Sequence, residues 1–257
     1  MTTEDEILFE CSGAIGWITF NRPRARNALT FGMYRRLAEI CSDPPGELRT
    51  LIVAGAGGEA FAAGTDISQF RGFTTRQHAL DYETTMDEVL GAVEACAVPT
   101  IAAIDGACTG GGAAIAAACD LRIATSGLRF GFPIARTLGN CLSAANIARL
   151  NALIGAGRVR EMIFLSRLMK AEEALRVGLV SEILDSREAL VNRARELAER
   201  LARQAPLTLR ATKEVQRRLA RVDVEDEDWI VRCYTSEDFR EGLEAFLSKR
   251  EPRWKGR

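Results

Sequence analysis

The chain has 257 residues, a formal net charge of -1 at pH 7, and 47% hydrophobic and 27% charged residues. This composition excludes an intrinsically disordered protein, and the balanced charge is unlike that of a nucleic-acid-binding protein, whose basic residues cluster. A chain of this length can bury most of its unfolded surface. We therefore predict one large core over residues 1–190 and a smaller helical region over residues 191–257.

The counts of cysteine and histidine exclude several kinds of site. The seven cysteines contain no C-x-x-C pair, and their odd number argues against a complete disulfide framework. His78 is the only histidine, so a histidine-rich metal centre is excluded and we expect this side chain to be exposed. No apolar run approaches the ~18 residues of a membrane span, and the first residues lack a secretory signal pattern. We predict a cytoplasmic protein with no metal, nucleic-acid or membrane partner.

The first half of the chain alternates between predicted strands and helices. Residues 7–20 predict a hairpin of two short strands, and residues 30–40 predict an amphipathic helix with Thr30 as its N-cap. A strand over 51–54, a glycine-rich loop, a helix over 76–94 and a strand over 100–104 follow.

The second half continues the alternation and then becomes helical. A small-residue helix ends near residue 119, strands follow over 120–124 and 129–132, and a helix covers 143–154. From residue 171 onward Glu, Arg, Ala and Leu dominate, which predicts helices. This order of elements indicates a layered α/β fold.

Two glycine-rich loops are candidates for ligand binding. Residues 55–60 fit the dinucleotide pattern G-x-G-x-x-A, but the loop continues to Gly64 instead of opening a helix, so the indication is weak. The second loop places three glycines, 110–112, before an alanine-rich helix. The backbone N–H groups at this helix N-terminus would favour the negative charge of a developing oxyanion. The alternative interpretation is that the glycines only let the helix pack tightly against a strand.

Six segments in this order resemble the crotonase (enoyl-CoA hydratase/isomerase) superfamily. They span nearly the whole chain: NRPRARNAL at 21–29, FAAGTDI at 61–67, AIDG at 103–106 with GGG at 110–112, CDLRIA at 119–124, ALRVGLV at 174–180 and REGLEAFLSKR at 240–250.

The resemblance implies a fold, a ligand and an oligomer. The fold is a ββα spiral core, here 1–190, with a helical C-terminal trimerisation region, here 191–257. The ligand is an acyl-CoA thioester, with coenzyme A as part of the substrate and no tightly bound cofactor. The oligomer is a homotrimer or a dimer of trimers. The thioester oxygen would accept hydrogen bonds from the backbone N–H groups of Thr65 and Gly111, which favours an enolate.

The same resemblance implies residues along the coenzyme A path. They are Arg24, Ala25, Arg26, Ala63, Asp66, Ile67, Phe246 and Lys249.

The sequence departs from the family's hydratases at both catalytic glutamates. Ala114 and Ile134 stand at these positions, and neither side chain can transfer a proton. Glu83, on the helix that covers the acyl pocket in this family, is our candidate for a replacement base, with a solvated helix residue as the alternative. Three further residues could enter the pocket from the following segment: Arg136, Asn140 and Ser143.

Three functions remain open from the sequence. The first is an enzyme acting through an enolate by isomerisation, decarboxylation, hydrolysis or a lyase reaction. The second is an enoyl-CoA hydratase with displaced acid–base groups. The third is an acyl-CoA-binding protein without turnover. A carboxylate in the pocket would favour an enzyme.

Overall fold

The computed structural model describes residues 6–219, 227–255 and 257, without the side chains of 228 and 229. Within this part, ten strands form two sheets. The strands are β1 (Ile7–Ser12), β2 (Ile15–Phe20), β3 (Thr50–Gly55), β4 (Ala60–Ala62), β5 (Thr100–Ile104), β6 (Ala107–Thr109), β7 (Leu121–Thr125), β8 (Arg129–Gly131), β9 (Met169–Lys170) and β10 (Ile183–Leu184).

Helices surround these sheets and make up most of the C-terminal region. The α-helices are α1 (Phe31–Ser42), α2 (Arg76–Ala95), α3 (Gly111–Ala118), α4 (Ile134–Thr137), α5 (Ala144–Ile154), α6 (Ala156–Phe164), α7 (Ala171–Arg176), α8 (Arg187–Ala202), α9 (Pro206–Leu219), α10 (Glu227–Tyr234) and α11 (Glu237–Leu247). Short 3-10 segments cover Pro23–Ala25 and Ile67–Gly72.

The larger sheet has the order β1-β2-β3-β5-β7-β10 and is parallel except for the β1–β2 hairpin. The smaller sheet has the order β4-β6-β8-β9, with β8 and β9 antiparallel. The central strands β3 and β5 are buried along their whole length, as expected of parallel strands covered on both faces. The predicted α/β class is confirmed.

Helix α8 covers one face of the larger sheet. Leu190, Ala194 and Ala198 of this helix pack on Ile52 and Ile101. The predicted boundary between residues 190 and 191 therefore falls inside α8, and residues on both sides of it pack on the sheet.

Helix α1 begins where the sequence predicts. The Thr30 side chain accepts a hydrogen bond from the Met33 N–H at 3.2 Å and donates one to Glu6 Oε2 at 3.0 Å. Tyr34 and Leu37 then turn toward the main core, which fixes the helix against the sheet. The cap thus satisfies a backbone donor that would otherwise lack a partner.

Removing this cap is expected to destabilise the protein. Thr30→Ala should lower the free energy of unfolding by about 1 kcal/mol, because the Met33 N–H loses its acceptor. Thr30→Ser keeps the hydroxyl and serves as the control in urea unfolding. An equal loss of stability in both variants would contradict a capping role.

The sequence interpretation missed three strands of the smaller sheet, β4, β6 and β9. β4 and β6 each have three residues and lie inside the two glycine-rich loops, where Ala60 pairs with Ala107. Their pairing brings the loops together, so the segments that follow, around Gly64 and Gly110, become neighbours.

The last two helices fold back onto their own chain. Their buried side chains pack with residues from earlier in the chain in what we call the C-terminal cluster. Its members are Phe70, Ala79, Leu138, Ile230, Tyr234, Phe239 and Leu243. α10 packs on α2, and α11 packs on α4 and on the 3-10 segment Ile67–Gly72. At this edge His78 is half-buried instead of exposed, with its ring against Phe73 and its Nδ1 accepting from the Thr74 N–H.

In the described part of the chain, we find no helix with the length and apolar character that crossing a membrane requires.

Candidate active site

The loop after β4 presents the backbone N–H of Thr65. The Leu29 N–H donates to the Gly64 carbonyl at 2.8 Å, and the Asp66 N–H donates to the Leu29 carbonyl at 2.8 Å. Because these two bonds form a parallel bridge, the N–H of Thr65 points to the opposite side of the strand. It is therefore directed away from the backbone of Leu29.

The N-terminus of α3 presents the backbone N–H of Gly111. The Ala114 N–H makes the first helical bond, to the Gly110 carbonyl at 2.9 Å, so the Gly111 N–H belongs to the first turn and has no intrahelical acceptor. Gly110 has φ 51°, a conformation that favours glycine. The helix dipole adds partial positive charge at this point.

The two N–H-bearing segments are in contact. A Cβ built on Gly110 would lie 3.4 Å from the Gly64 Cα, and one built on Gly111 would lie 3.3 Å from Thr65 Oγ1. The predicted pair, Thr65 and Gly111, is thus brought together. The alternative interpretation of the glycines holds for Gly112, where a Cβ would overlap the β4 backbone.

Beside these groups lie two hydrogen-bonded triads, which together we call the tyrosine cluster. Thr65 bonds to Tyr34 and Tyr82, and Tyr234 bonds to Glu83 and Asn140, so the cluster contains all three tyrosines of the chain. The rings of Tyr82 and Tyr234, with centroids 5.9 Å apart, connect the two triads. The Thr65 hydroxyl bonds to the Tyr34 hydroxyl at 2.8 Å and to the Tyr82 hydroxyl at 3.0 Å. The side chain of Thr65 is therefore held while its backbone N–H points elsewhere.

Glu83 is the carboxylate of this cluster. The residue is 5% exposed, and its carboxylate accepts a hydrogen bond from the Tyr234 hydroxyl. The Asn140 amide nitrogen donates to the same hydroxyl at 3.0 Å, so Tyr234 lies between the two residues. The interpretation of Glu83 as a solvated helix residue is wrong, because α10 covers this face of α2.

The three phenols remain protonated near neutral pH. Burial raises the pKa of Tyr34, Tyr82 and Tyr234, and the nearby Glu83 charge raises each pKa further. Each hydroxyl is consequently available as a hydrogen-bond donor.

A family model described as "Enoyl-CoA hydratase/isomerase" matches residues 10–257. The chain belongs to this family. The short-chain-enoyl-CoA hydratase of Clostridium acetobutylicum is 32% identical and covers 96% of each chain. The carnitinyl-CoA dehydratase of Citrobacter koseri is 35% identical over 98% of this chain and 99% of the relative. A methylmalonyl-CoA decarboxylase in complex with 2-nitronate-propionyl-CoA has a TM-score of 0.88 at 27% identity, over 98% of this chain and 99% of that one.

This membership confirms the crotonase resemblance and the fold that it implies. The chain is therefore an enzyme-family member, with hydratases and dehydratases among its relatives. The predicted trimer and the coenzyme A contacts stay predictions.

The two positions at which we expect the family's glutamates are apolar. Ala114 lies in the first turns of α3 and Ile134 opens α4, and both side chains pack in the main core. Any proton transfer at this site must therefore use another group, and Glu83 is the carboxylate of the tyrosine cluster.

Several residues that the resemblance assigns to coenzyme A lie close together. Arg24, Ala25 and Arg26 lie on the surface beside the loop after β4, where the Arg26 carbonyl accepts from the Ala63 N–H at 3.0 Å. The Arg26 guanidinium is exposed and lies 3.9 Å from a Glu59 carboxylate oxygen. Both arginine side chains can therefore move to meet an anionic ligand.

Asp66 has a structural role in addition to the predicted one. Its carboxylate pairs with Arg22 at 3.0 Å and accepts from the Ser68 N–H at 3.2 Å, capping the segment Ile67–Gly72. Partial burial of the carboxyl would raise its pKa, but the hydrogen bonds from Ser68 and Arg22 outweigh this effect and lower it. This carboxylate is thus engaged within the protein.

Phe246 and Lys249 lie at the end of α11. The helix packs through Phe239 and Leu243, which leaves the Phe246 ring 51% exposed and Lys249 on the surface. Contact of this pair with coenzyme A stays a prediction.

The remaining candidates divide between the cluster and the surface. Asn140 joins the tyrosine cluster, whereas Arg136 is exposed. Ser143 caps α5 and donates to Asp87 Oδ1 at 2.7 Å. Sequence reasoning missed all three tyrosines, and the one local signal was that Tyr82 directly precedes Glu83 on α2.

Proposed function

We propose that this protein binds an acyl-CoA thioester and stabilises its enolate through the backbone N–H groups of Thr65 and Gly111. The observation that carries the proposal is the contact between the loop after β4 and the N-terminus of α3. Negative charge on the thioester oxygen grows as the enolate forms, so two fixed donors bind that state more tightly than the ground state. Each donor is expected to contribute about 3 kcal/mol of transition-state stabilisation.

Glu83 is the proposed acid and base for the carbon skeleton of the acyl group. Its sequence neighbour Tyr82 bonds to the Thr65 hydroxyl, and burial with a hydrogen bond from Tyr234 fixes the orientation of the Glu83 carboxylate. A carboxylate held in this way can remove a proton from the α-carbon of a 3-enoyl thioester and return it to the γ-carbon, which moves the double bond to the 2-position. This assignment supports isomerisation, or hydration with displaced groups.

The surface beside the loop after β4 suits the coenzyme A moiety. Arg24 and Arg26 are exposed cations that can pair with its phosphates, and Ala25, Ala63 and Ile67 would line the pantetheine path. Phe246 and Lys249 complete this site from α11, in the same subunit or across the interface of the proposed trimer. Coenzyme A arrives with the substrate, and no other cofactor is invoked.

Decarboxylation is the second candidate, favoured by the apolar side chains of Ala114 and Ile134. When a carboxylate leaves as carbon dioxide, the electron pair of the broken C–C bond forms the enolate directly, so no base is required. The structural similarity to a methylmalonyl-CoA decarboxylase, with a TM-score of 0.88, supports this alternative.

A substrate panel separates these functions. Purified protein is incubated with crotonyl-CoA, a 3-enoyl-CoA, methylmalonyl-CoA and saturated acyl-CoA esters, while hydration, double-bond migration, carbon dioxide release and free coenzyme A are followed and binding is titrated. We expect turnover of at least one ester through double-bond migration, hydration or carbon dioxide release. Tight binding of all esters without any turnover would contradict an enzymatic role and leave a binding protein.

A further inference from the structure

Two cysteines from distant parts of the sequence lie in contact beside the tyrosine cluster. Cys141 follows Asn140 in the segment between α4 and α5, and Cys233 precedes Tyr234 in α10. Both side chains pack against the C-terminal cluster, and the Cys141 thiol lies close enough to the Cys233 sulfur to lower the pKa of Cys233. The 3.0 Å hydrogen bond from Asn140 to Tyr234 holds the two segments together immediately next to this pair.

Exposure distinguishes this pair from the other pair of neighbouring thiols, Cys41 and Cys96. Cys41 and Cys96 are also in contact, but they are 1% and 2% exposed, whereas Cys141 and Cys233 are half-buried. A small oxidant in solution can therefore reach Cys141 and Cys233 more easily. None of the seven cysteines forms a disulfide in the structure.

The surroundings of Cys233 also favour its thiolate form. The hydrogen bond from Cys141 lowers the pKa of Cys233 to about 7, with a further contribution from the Arg232 charge and an opposing effect of burial. The thiolate is the nucleophilic form of cysteine, so a substantial fraction of Cys233 is reactive at neutral pH. The pKa of Cys96 is lowered to about 7 as well, but its burial shields it.

We propose that Cys141 and Cys233 form an oxidisable dithiol, which a hydroperoxide converts to a disulfide that reversibly slows the enzyme. The effect on turnover rests on the proposed function, whereas the disulfide itself does not.

The reaction balances with one peroxide as the oxidant. The Cys233 thiolate attacks one peroxide oxygen, an S–O bond forms as the O–O bond breaks, and hydroxide leaves and takes up a proton to give water. The Cys141 sulfur then attacks the Cys233 sulfenic acid, an S–S bond forms, the S–O bond breaks, and the thiol proton leaves with the second water. Two thiols lose two electrons to the peroxide.

The disulfide would alter the tyrosine cluster through the neighbouring residues. Hydrogen-bonded sulfurs lie farther apart than the ~2 Å of a disulfide, so α10 and the segment before α5 must approach one another. Tyr234 and Asn140 are adjacent to the two sulfurs in sequence and orient Glu83. Because small displacements of catalytic groups are costly, we expect a fall in kcat of about tenfold.

Peroxide titration with peptide mapping tests the modification. The full-length protein is treated with hydrogen peroxide, the remaining thiols are alkylated, and a non-reducing digest is analysed by mass spectrometry. We expect a linked peptide pair containing Cys141 and Cys233, absent from Cys141→Ser and Cys233→Ser. Free Cys141 and Cys233 under conditions that oxidise the exposed Cys11 would overturn the proposal.

The activity measurement uses matched variants. Cys11→Ser should lose activity with peroxide as the unmodified protein does, and dithiothreitol should restore both, whereas Cys141→Ser should resist the disulfide-dependent loss. A disulfide that forms without changing kcat would overturn the regulatory part. Because the peptide map involves no substrate, failure of the proposed activity would leave its result standing.

Discussion

Gly111→Ala is expected to lower kcat/KM by at least about a hundredfold, which corresponds to about 2.7 kcal/mol of transition-state stabilisation. A Cβ at this position would overlap the Tyr34 hydroxyl and lie 3.3 Å from Thr65 Oγ1. Tyr34 must therefore move, and because its hydroxyl bonds to Thr65, the second donor of the hole moves with it. Steady-state kinetics on the substrate found in the panel provide the measurement.

Two variants separate this effect from a general loss of stability. Gly91→Ala lies on α2, where an added Cβ meets no atom within 4 Å, so it should retain activity and unfold no earlier. Tyr34→Phe combined with Gly111→Ala removes the overlapped hydroxyl oxygen and should recover part of the lost activity. Full activity in Gly111→Ala alone would contradict the proposed hole.

Glu83→Gln is expected to lower kcat by about 10²- to 10⁴-fold with little change in substrate binding. Glutamine keeps the shape of the side chain and can still accept from Tyr234, but it cannot transfer a proton at neutral pH. The effect should therefore appear in kcat and leave the dissociation constant for the acyl-CoA ester nearly unchanged, as measured by calorimetry.

Glu88→Gln is the matched control, since Glu88 lies on the same helix and is exposed. It should keep the kcat of the unmodified protein. The same pair of variants also distinguishes the two candidate reactions, because decarboxylation needs no base to form the enolate. If Glu83→Gln keeps full rates of hydration or double-bond migration, Glu83 is not the acid–base group.

Local signals account for the parts of the fold that could be predicted from the sequence. The N-cap at Thr30 and the apolar run of β5 mark their elements without reference to the rest of the chain. β4 and β6 lack such a signal, because each has three residues and exists through pairing between segments far apart in sequence. Short strands of this kind are defined by their partners.

The candidate site was predictable where it depends on backbone conformation. Thr65 and Gly111 follow from motif positions that the resemblance supplies, and the structure brings them into contact. Tyr34 and Tyr234 belong to helices at opposite ends of the chain, so no local pattern joins them to Thr65 or Glu83. The burial of Glu83 depends on α10, which covers α2 only in the folded protein.

Solvent deuterium exchange at the α-carbon of the ester that binds most tightly tests the enolate directly. We predict that the protein in D₂O catalyses loss of the α-proton signal, and that Gly111→Ala and Glu83→Gln bind the ester but exchange its α-proton at least about a hundredfold more slowly. Two results would contradict stabilisation of an enolate at this site. One is an unchanged exchange rate in Gly111→Ala, and the other is tight binding by the unmodified protein with no exchange faster than in buffer alone.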